Sequence, residues 1–256
     1  MTNEEKELIL QFNVDMVNSC EEDIFHDGIT CNKCHNRGYI AKTDGKSEWV
    51  EPCKCLKPRI SLKHLRAQGL GEMLKKCDLN KFEHTKQFQE VMLRTARSYL
   101  AEPKGWFSIF GQSGCGKTFI CTAIVKELIL RDLCGVEYIC WNQFIKQLNA
   151  VVNTEGYEVM MDVVKNADVL YIDDFLKPLG AENKPTTAEL GKAFEILDSR
   201  AKSNYKTIIS GERDISSILD IDQAIGGRIV EMSGKHFINI SKDTSKNYRL
   251  KDMISL

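Results

Sequence analysis

Residues 111–118 have the types and spacing of a phosphate-binding loop. They fit the pattern G-x-x-x-x-G-K-[ST] without deviation, between an apolar strand predicted over 106–110 and a predicted helix. The glycines let the backbone curl so that its N–H groups point at phosphate oxygens. Lys117 is expected to reach the β- and γ-phosphates of ATP, and the Thr118 hydroxyl to ligate Mg²⁺. The predicted ATP-binding residues are Gly111, Gln112, Ser113, Gly114, Cys115, Gly116, Lys117 and Thr118.

Two adjacent acids, Asp173 and Asp174, end an apolar segment about 50 residues after this loop. Asp173 is expected to hold Mg²⁺ through water. Asp174 is expected to act as the general base that polarises the attacking water. The loop and the acids together predict an ATPase.

Four cysteines form a second candidate site. Cys31 and Cys34 are separated by two residues, Cys53 and Cys55 by one, and 18 residues lie between the pairs. This spacing is close to that of zinc ribbons and predicts a structural Zn²⁺ site in which four thiolates leave no position for a substrate. An iron–sulfur cluster uses the same ligands and stays open. Haem attachment at Cys31–His35 is disfavoured, because it would leave the second pair without a purpose.

The elements that must position these residues alternate along the chain. After a capped helix over 3–20 and the cysteine segment over 28–56, helices are predicted over 84–101, 117–132, 142–166 (two) and 186–203, and strands over 106–110, 136–141, 168–173 and 206–210. Such alternation predicts an α/β fold with a parallel sheet between helices. We expect an N-terminal module over 1–79 and an ATPase domain over 80–256.

Composition excludes little but sets limits. The chain has 256 residues, 43% of them hydrophobic, and a net charge of −1, so no overall basic field indicates nucleic acid. No apolar run approaches the roughly 18 residues that span a bilayer. We expect a cytoplasmic protein that does not enter a membrane.

The phosphate loop, the acid pair and their connecting elements resemble the AAA+ ATPases, specifically the DnaC/DnaI-type helicase loaders and their relative, the IstB transposition helper. The resemblance implies that Ser210, at the end of the next core strand, senses the γ-phosphate. It also implies that Arg228 is an arginine finger for a neighbouring subunit, so that the chain self-associates through the ATP site. Residues 247–250 resemble the family's terminal strand signature, which gives no role for Arg249. A lid with a second sensor is expected to be absent.

The same resemblance implies the partners. The N-terminal part would bind the replicative DNA helicase through apolar residues of the first helix, although these residues could equally pack in the core. Single-stranded DNA would run along the helices of 142–166. The candidate DNA contacts are Phe144, Lys146, Tyr157, Lys165 and Lys177.

The leading hypothesis is therefore an ATP-dependent loader that delivers the replicative helicase onto single-stranded DNA. One version of this hypothesis is a loader of phage type. One alternative is an IstB-like transposition helper that binds duplex DNA. The other is a zinc-bearing adaptor whose ATP site only switches its conformation.

Overall fold

The computed structural model describes residues 2–27, 29–132, 135–177 and 184–250. The chain forms two compact units, Met1–Lys63 and His64–Leu256. The expected boundary at residue 79 thus falls inside the second compact unit, and the division into functional domains stays a prediction.

The first unit combines a helix with a small hairpin. Helix α1 (Asn3–Ser19) begins with a capping box in which the Glu5 N–H donates to the Thr2 hydroxyl at 3.2 Å and the Thr2 N–H donates to Glu5 at 2.7 Å. The antiparallel hairpin consists of β1 (Tyr39–Thr43) and β2 (Glu48–Pro52), followed by α2 (Leu56–Leu65). Asn18 exchanges two hydrogen bonds of 2.9 Å with the Ala41 backbone, which fixes α1 against β1.

The second unit is an alternating α/β domain, as predicted. Its strands are β3 (Trp106–Gly111), β4 (Val136–Cys140), β5 (Val169–Asp173), β6 (Lys206–Gly211) and β7 (Phe237–Ile240). Its helices are α3 (Gly71–Lys76), α4 (Gln87–Ala101), α5 (Lys117–Asp132), α6 (Trp141–Ala150), α7 (Glu155–Asn166), α8 (Thr187–Lys202), α9 (Ile215–Ile221) and α10 (Gln223–Ser233).

The five strands form one parallel sheet in the order β4-β5-β6-β3-β7. Every residue of β3 and β5 is buried, as expected for a parallel sheet covered by helices on both faces. Because the strands are parallel, the residues that follow β3, β5 and β6 meet at one edge of the sheet. This edge carries the phosphate loop and the acid pair.

The C-terminal part departs from the sequence prediction. Residues 247–250 do not form the expected terminal strand. The last strand is β7, and after it the chain makes two short 3₁₀ turns, Thr244–Lys246 and Tyr248–Leu250. Residues 251–256 of the expected ATPase domain lie outside the described residues.

Within the described ranges, the helices are all too short or too polar to span a lipid bilayer.

Candidate functional site

The phosphate loop joins β3 to α5 through a backbone that only glycine adopts readily. Gly111, Gly114 and Gly116 have φ values of +127°, +78° and +95°. A Cβ at Gly111 would also lie 2.3 Å from the carbonyl oxygen of Ile240 on β7. The consensus glycines are therefore required by the fold as well as by the ligand they are expected to hold.

Lys117 lies across this loop. Its side chain is 7% exposed, and its Nζ donates to the carbonyl oxygens of Gly111 and Gln112, each at 2.7 Å. The loop lines a cavity of about 410 Å³ together with Asp174. The fixed cation at the loop and the free volume in front of it fit a phosphate-bearing ligand.

Asp173 lies at the end of β5, within reach of two hydroxyl groups. Thr118 Oγ1 is 3.4 Å from Asp173 Oδ1, and Ser210 donates a hydrogen bond to the same oxygen. Burial raises the pKa of Asp173, the Ser210 hydrogen bond lowers it, and the neighbouring Asp174 raises it, with a net rise. A buried carboxylate beside a threonine hydroxyl fits a Mg²⁺ ion, which would offset the burial of the negative charge.

Ser210 is fully buried and is not among the residues that line the cavity. Its hydroxyl contacts the predicted metal-binding acid, so the structure brings it to the site as a partner of Asp173. Its role as a γ-phosphate sensor stays a prediction.

Asp174 faces the cavity in a strained conformation. Its φ of +54° is unusual for a residue other than glycine. Its carboxylate forms an ion pair of 2.9 Å with Lys177, which also pairs with Glu212 at 3.2 Å. Lys177, predicted to contact DNA, is thus held by two acids of the cavity wall. Glu212 stands just beyond β6.

The remaining cavity wall comes from both ends of the domain. It includes Phe82, before α4, and Tyr248 and Arg249, after β7. Phe82 packs against Phe119 of α5 with ring centroids 5.5 Å apart. The terminal signature covers Tyr248 and Arg249 without giving them a role at the site, and no sequence motif indicated Phe82. All three are far from the loop along the chain and meet it only in the fold.

Arg228 lies on α10, outside the cavity of its own chain. Its guanidinium forms an ion pair of 2.6 Å with Asp198 on α8, and Asp198 also pairs with Lys202 at 2.7 Å. The structure therefore does not bring Arg228 to its own phosphate loop. Action on a neighbouring subunit stays a prediction.

The four cysteines of the first unit converge. Their Sγ atoms all lie within 4.8 Å of one another, with Cys31 and Cys53 at 3.8 Å and Cys34 and Cys55 at 3.4 Å. Four sulfurs around Zn²⁺ with bonds of about 2.3 Å lie roughly 3.8 Å apart. The cluster therefore has the composition and nearly the size of a closed zinc site.

Protonation in the cluster is consistent with a bound cation. Burial raises the pKa of the Cys31 thiol, but hydrogen bonds from the backbone at Cys34 and Lys33 outweigh it and lower the pKa to about 7. Burial and the neighbouring thiols raise the pKa of Cys55. A metal ion bound at this cluster would compensate the charges of the thiolates that ligate it.

The predicted DNA contacts are dispersed. Phe144 is buried in the core of the second unit and cannot stack on a base, which corrects its assignment. Tyr157 is partly buried against the same core, and Lys165 pairs with Glu195 at 3.1 Å. Lys146 is exposed and remains a candidate.

Helix α1 keeps an apolar stripe in solvent. Leu8, Phe12 and Met16, spaced by four residues, are 70%, 66% and 53% exposed, whereas Val14 is buried. The side of α1 that carries Val14 packs within its unit, and the other side is left apolar and exposed.

Comparison with known proteins supports the ATPase core. Residues 81–232 match the model of the bacterial DnaA ATPase domain. Among relatives from Bacillus subtilis (strain 168), the protein YqaM is 27% identical over 237 residues, covering 84% of this chain and 72% of YqaM. The phage-like element PBSX protein XkdC is 25% identical, covering 86% of each chain. The replicative helicase loader DnaI is 25% identical over 149 residues, covering 57% of this chain and 46% of the loader.

Solved structures share the fold. The crystal structure of DnaI superposes with a TM-score of 0.55 at 22% identity, covering 70% of this chain and 93% of that one. The DnaC helicase loader gives 0.53 at 18% identity, covering 66% and 96%. The structure of the replication initiator DnaA bound to AMPPCP and single-stranded DNA gives a TM-score of 0.55 at 17% identity. The match covers 70% of this chain and about half (55%) of that one.

Proposed function

Because this chain belongs to the family of the bacterial DnaA ATPase domain, we propose that it is an ATP-dependent loader that binds the replicative DNA helicase and delivers it onto single-stranded DNA. The similarity to the loader DnaI and to the phage-like protein XkdC supports a loader encoded by a phage or prophage. Its place of action is the cytoplasm, where replication starts.

ATP binds in the cavity at the end of β3. Lys117 and the N–H groups of the phosphate loop neutralise the β- and γ-phosphates, and Thr118 and Asp173 hold Mg²⁺, which supplies further positive charge to the phosphates. Asp174 accepts the proton of the attacking water. The ion pair of 2.9 Å with Lys177 engages one of the two oxygens of this carboxylate, Oδ2.

We assign helicase binding to the first unit. The observation that supports this assignment is the exposed apolar stripe on α1. The stripe residues Leu8, Phe12 and Met16 are apolar anchors, and the acids of the same helix form a polar rim around them. The cysteine cluster has a structural role, because its four ligands saturate a zinc ion and the unit is too small for a large core.

The test is co-purification of the full chain with the hexameric replicative helicase of its source organism. We expect the unmodified protein to form a stable complex. The double variant Leu8→Ser and Phe12→Ser should lose at least about tenfold in affinity, because two exposed anchors of this kind contribute more than roughly 1 kcal/mol each when buried at an interface.

The matched control carries the same two substitutions in the ATPase unit, at Leu130 and Phe194, which are 46% and 40% exposed. It should bind the helicase like the unmodified protein. Equal losses in both double variants, or no complex with the unmodified chain, would contradict the proposal. Filaments on duplex DNA with a transposase partner would identify the IstB-like helper instead, and nucleotide-dependent binding to other proteins without turnover would identify the adaptor.

A further inference from the structure

The first unit buries an arginine that neither the ATP site nor the stripe on α1 uses. Arg59 lies on α2 and is 1% exposed. Arginine is almost never fully buried unless its charge and its N–H groups find partners. The partners of the Arg59 guanidinium in the described part of the chain all belong to the first unit.

One of these partners connects Arg59 to the cysteine cluster. Arg59 Nη2 donates to the Asn36 side-chain oxygen at 2.8 Å and also to the Ile29 carbonyl oxygen. The same Asn36 oxygen accepts a hydrogen bond of 2.8 Å from the Cys31 N–H. The Asn36 side chain is thus a bridge between Arg59 and the backbone of a predicted metal ligand.

The turn that carries Cys31 and Cys34 has a backbone that needs such support. His35 and Asn36, at its end, have φ values of +47° and +68°, in a region that is uncommon for residues other than glycine. Contacts with the surrounding structure must hold a turn of this kind. The Asn36 bridge supplies two of them, one to Cys31 and one to Arg59.

Two acids lie near the guanidinium without orienting it. Oδ1 of Asp27 and Oδ1 of Asp23 are 3.6 Å and 3.9 Å from Arg59 Nη1, too far for a hydrogen bond. Among the described residues, Arg59 Nε and Nη1 have no hydrogen-bond partner. The acids therefore offset the buried charge, and the orientation is fixed by the Nη2 bonds and by the Phe25 ring, whose centroid is 4.8 Å from the guanidinium carbon.

We propose that Arg59 is a positioning residue of the metal centre. Through Asn36 it holds the backbone of Cys31 in the geometry that binds the metal ion, and so it raises the affinity of the cluster for zinc. This inference rests on the proposed zinc site. Residues that orient metal ligands in this way typically contribute tenfold to a hundredfold to metal affinity.

The test measures the zinc affinity of the full chain by competition with a chromophoric chelator. Arg59→Met keeps a long side chain and removes the donors, so the affinity should fall roughly tenfold to a hundredfold. Asn36→Gly removes the bridging oxygen and suits the φ of +68°, so it should cause a similar loss. The double variant should lose no more than the weaker single variant, because both changes break the same bridge.

A second measurement separates positioning from general loosening of the unit. In the zinc-loaded protein, amide hydrogen exchange of Cys31 should be faster in Arg59→Met and in Asn36→Gly. Exchange of Gly38, whose N–H donates to Cys34 Sγ at 3.3 Å, should stay unchanged, because this bond does not involve the bridge.

Lys63→Met is the matched control. It removes a positive charge one turn further along α2, from a side chain that is exposed. Its zinc affinity should equal that of the unmodified protein. If Arg59→Met fails to fold, Asn36→Gly carries the test with the same expected loss.

Three results would decide against the inference. Unchanged zinc affinity in the Arg59 and Asn36 variants would overturn it. Losses that add up in the double variant, or faster exchange at Cys31 and Gly38 alike, would also overturn it by showing that Arg59 only stabilises the unit. Absence of zinc from the unmodified chain would overturn the proposed zinc site itself, and the inference with it.

Discussion

Asp173 and Asp174 are adjacent, but their surroundings separate their roles. Asp173 is buried beside Ser210 and Thr118, and Asp174 faces the cavity and pairs with Lys177. Burial raises the pKa of Asp173, which means that the ionised form needed for Mg²⁺ lowers the stability of the fold. The proposed metal ligand is therefore a buried acid whose negative charge a bound cation would compensate.

Replacing each acid by asparagine should separate metal binding from proton transfer. With neither nucleotide nor Mg²⁺ present, Asp173→Asn should raise the unfolding temperature at pH 7, because it removes a buried charge. A raised pKa means that the folded state takes up a proton before the unfolded state does. The gain should therefore shrink as pH falls through the pKa of folded Asp173, where the native side chain becomes neutral too.

Asp174→Asn should leave that unfolding temperature nearly unchanged and still bind ATP, with hydrolysis slower by roughly 10²–10⁴, the usual contribution of a general base. Thermal unfolding at pH 7 and pH 4 and steady-state turnover measure these effects. Unchanged turnover in Asp174→Asn would show that Asp174 is not the base. A lower unfolding temperature in Asp173→Asn at pH 7 would contradict the role of burial.

At the scale of single residues, the sequence alone predicts those site residues that belong to a local sequence motif. The phosphate loop and the acid pair each lie at a strand end, so the spacing alone locates them. Lys177, Glu212 and Arg249 reach the same cavity from separate segments, and their contacts depend on tertiary structure. Phe144 was assigned wrongly to the DNA surface, because an aromatic residue at helical spacing is equally typical of a core.

The cysteine hairpin is the element whose stability depends most on a ligand. Cys31 and Cys34 precede β1, and Cys53 and Cys55 lie between β2 and α2. A metal that joins the two pairs therefore closes the base of the hairpin. Without it, a two-stranded sheet of five-residue strands has little stability of its own.

We expect about one zinc ion per chain by elemental analysis. The double variant Cys31→Ser and Cys34→Ser should lose it, and the first unit should then show faster amide hydrogen exchange. ATP turnover should stay close to that of the unmodified protein, because its residues lie in the second unit. Cys20→Ser is the control, since Cys20 is exposed and outside the cluster. Iron at similar stoichiometry would identify an iron–sulfur cluster, and retained zinc would contradict the ligand assignment.

The long elements of the ATPase unit follow their sequence patterns within a few residues. Helix α8 has the predicted period and a Thr186 cap, and β5 is a continuous apolar run. Helix α9 has seven residues and β7 has four, too few for a clear period, and these elements were missed. Residues 241–249 are irregular and contact the phosphate loop through the Tyr248 N–H, which donates to the Gly114 carbonyl oxygen, and no local pattern encodes this contact.

At the scale of the whole molecule, we propose that Arg228 links the ATP site to assembly. It does not line the cavity of its own chain and is oriented by Asp198. An arginine in this position can complete the site of a neighbouring subunit, where arginine fingers raise the rate of hydrolysis by roughly 10³–10⁵. Hydrolysis should then rise more than linearly with protein concentration.

The decisive experiment mixes two variants that are each inactive alone. Arg228→Ala should bind ATP normally and hydrolyse little, and Lys117→Ala should fold and fail to bind ATP. In a mixture, some interfaces pair an intact phosphate loop from the first variant with an intact Arg228 from the second, so turnover should recover in part. Mixing Asp174→Asn with Lys117→Ala is the control: it should restore nothing beyond the residual rate, because both changes damage the site of their own chain. No recovery with Arg228→Ala at any ratio, when sedimentation shows that the two variants associate, would exclude Arg228 as a residue that acts between subunits.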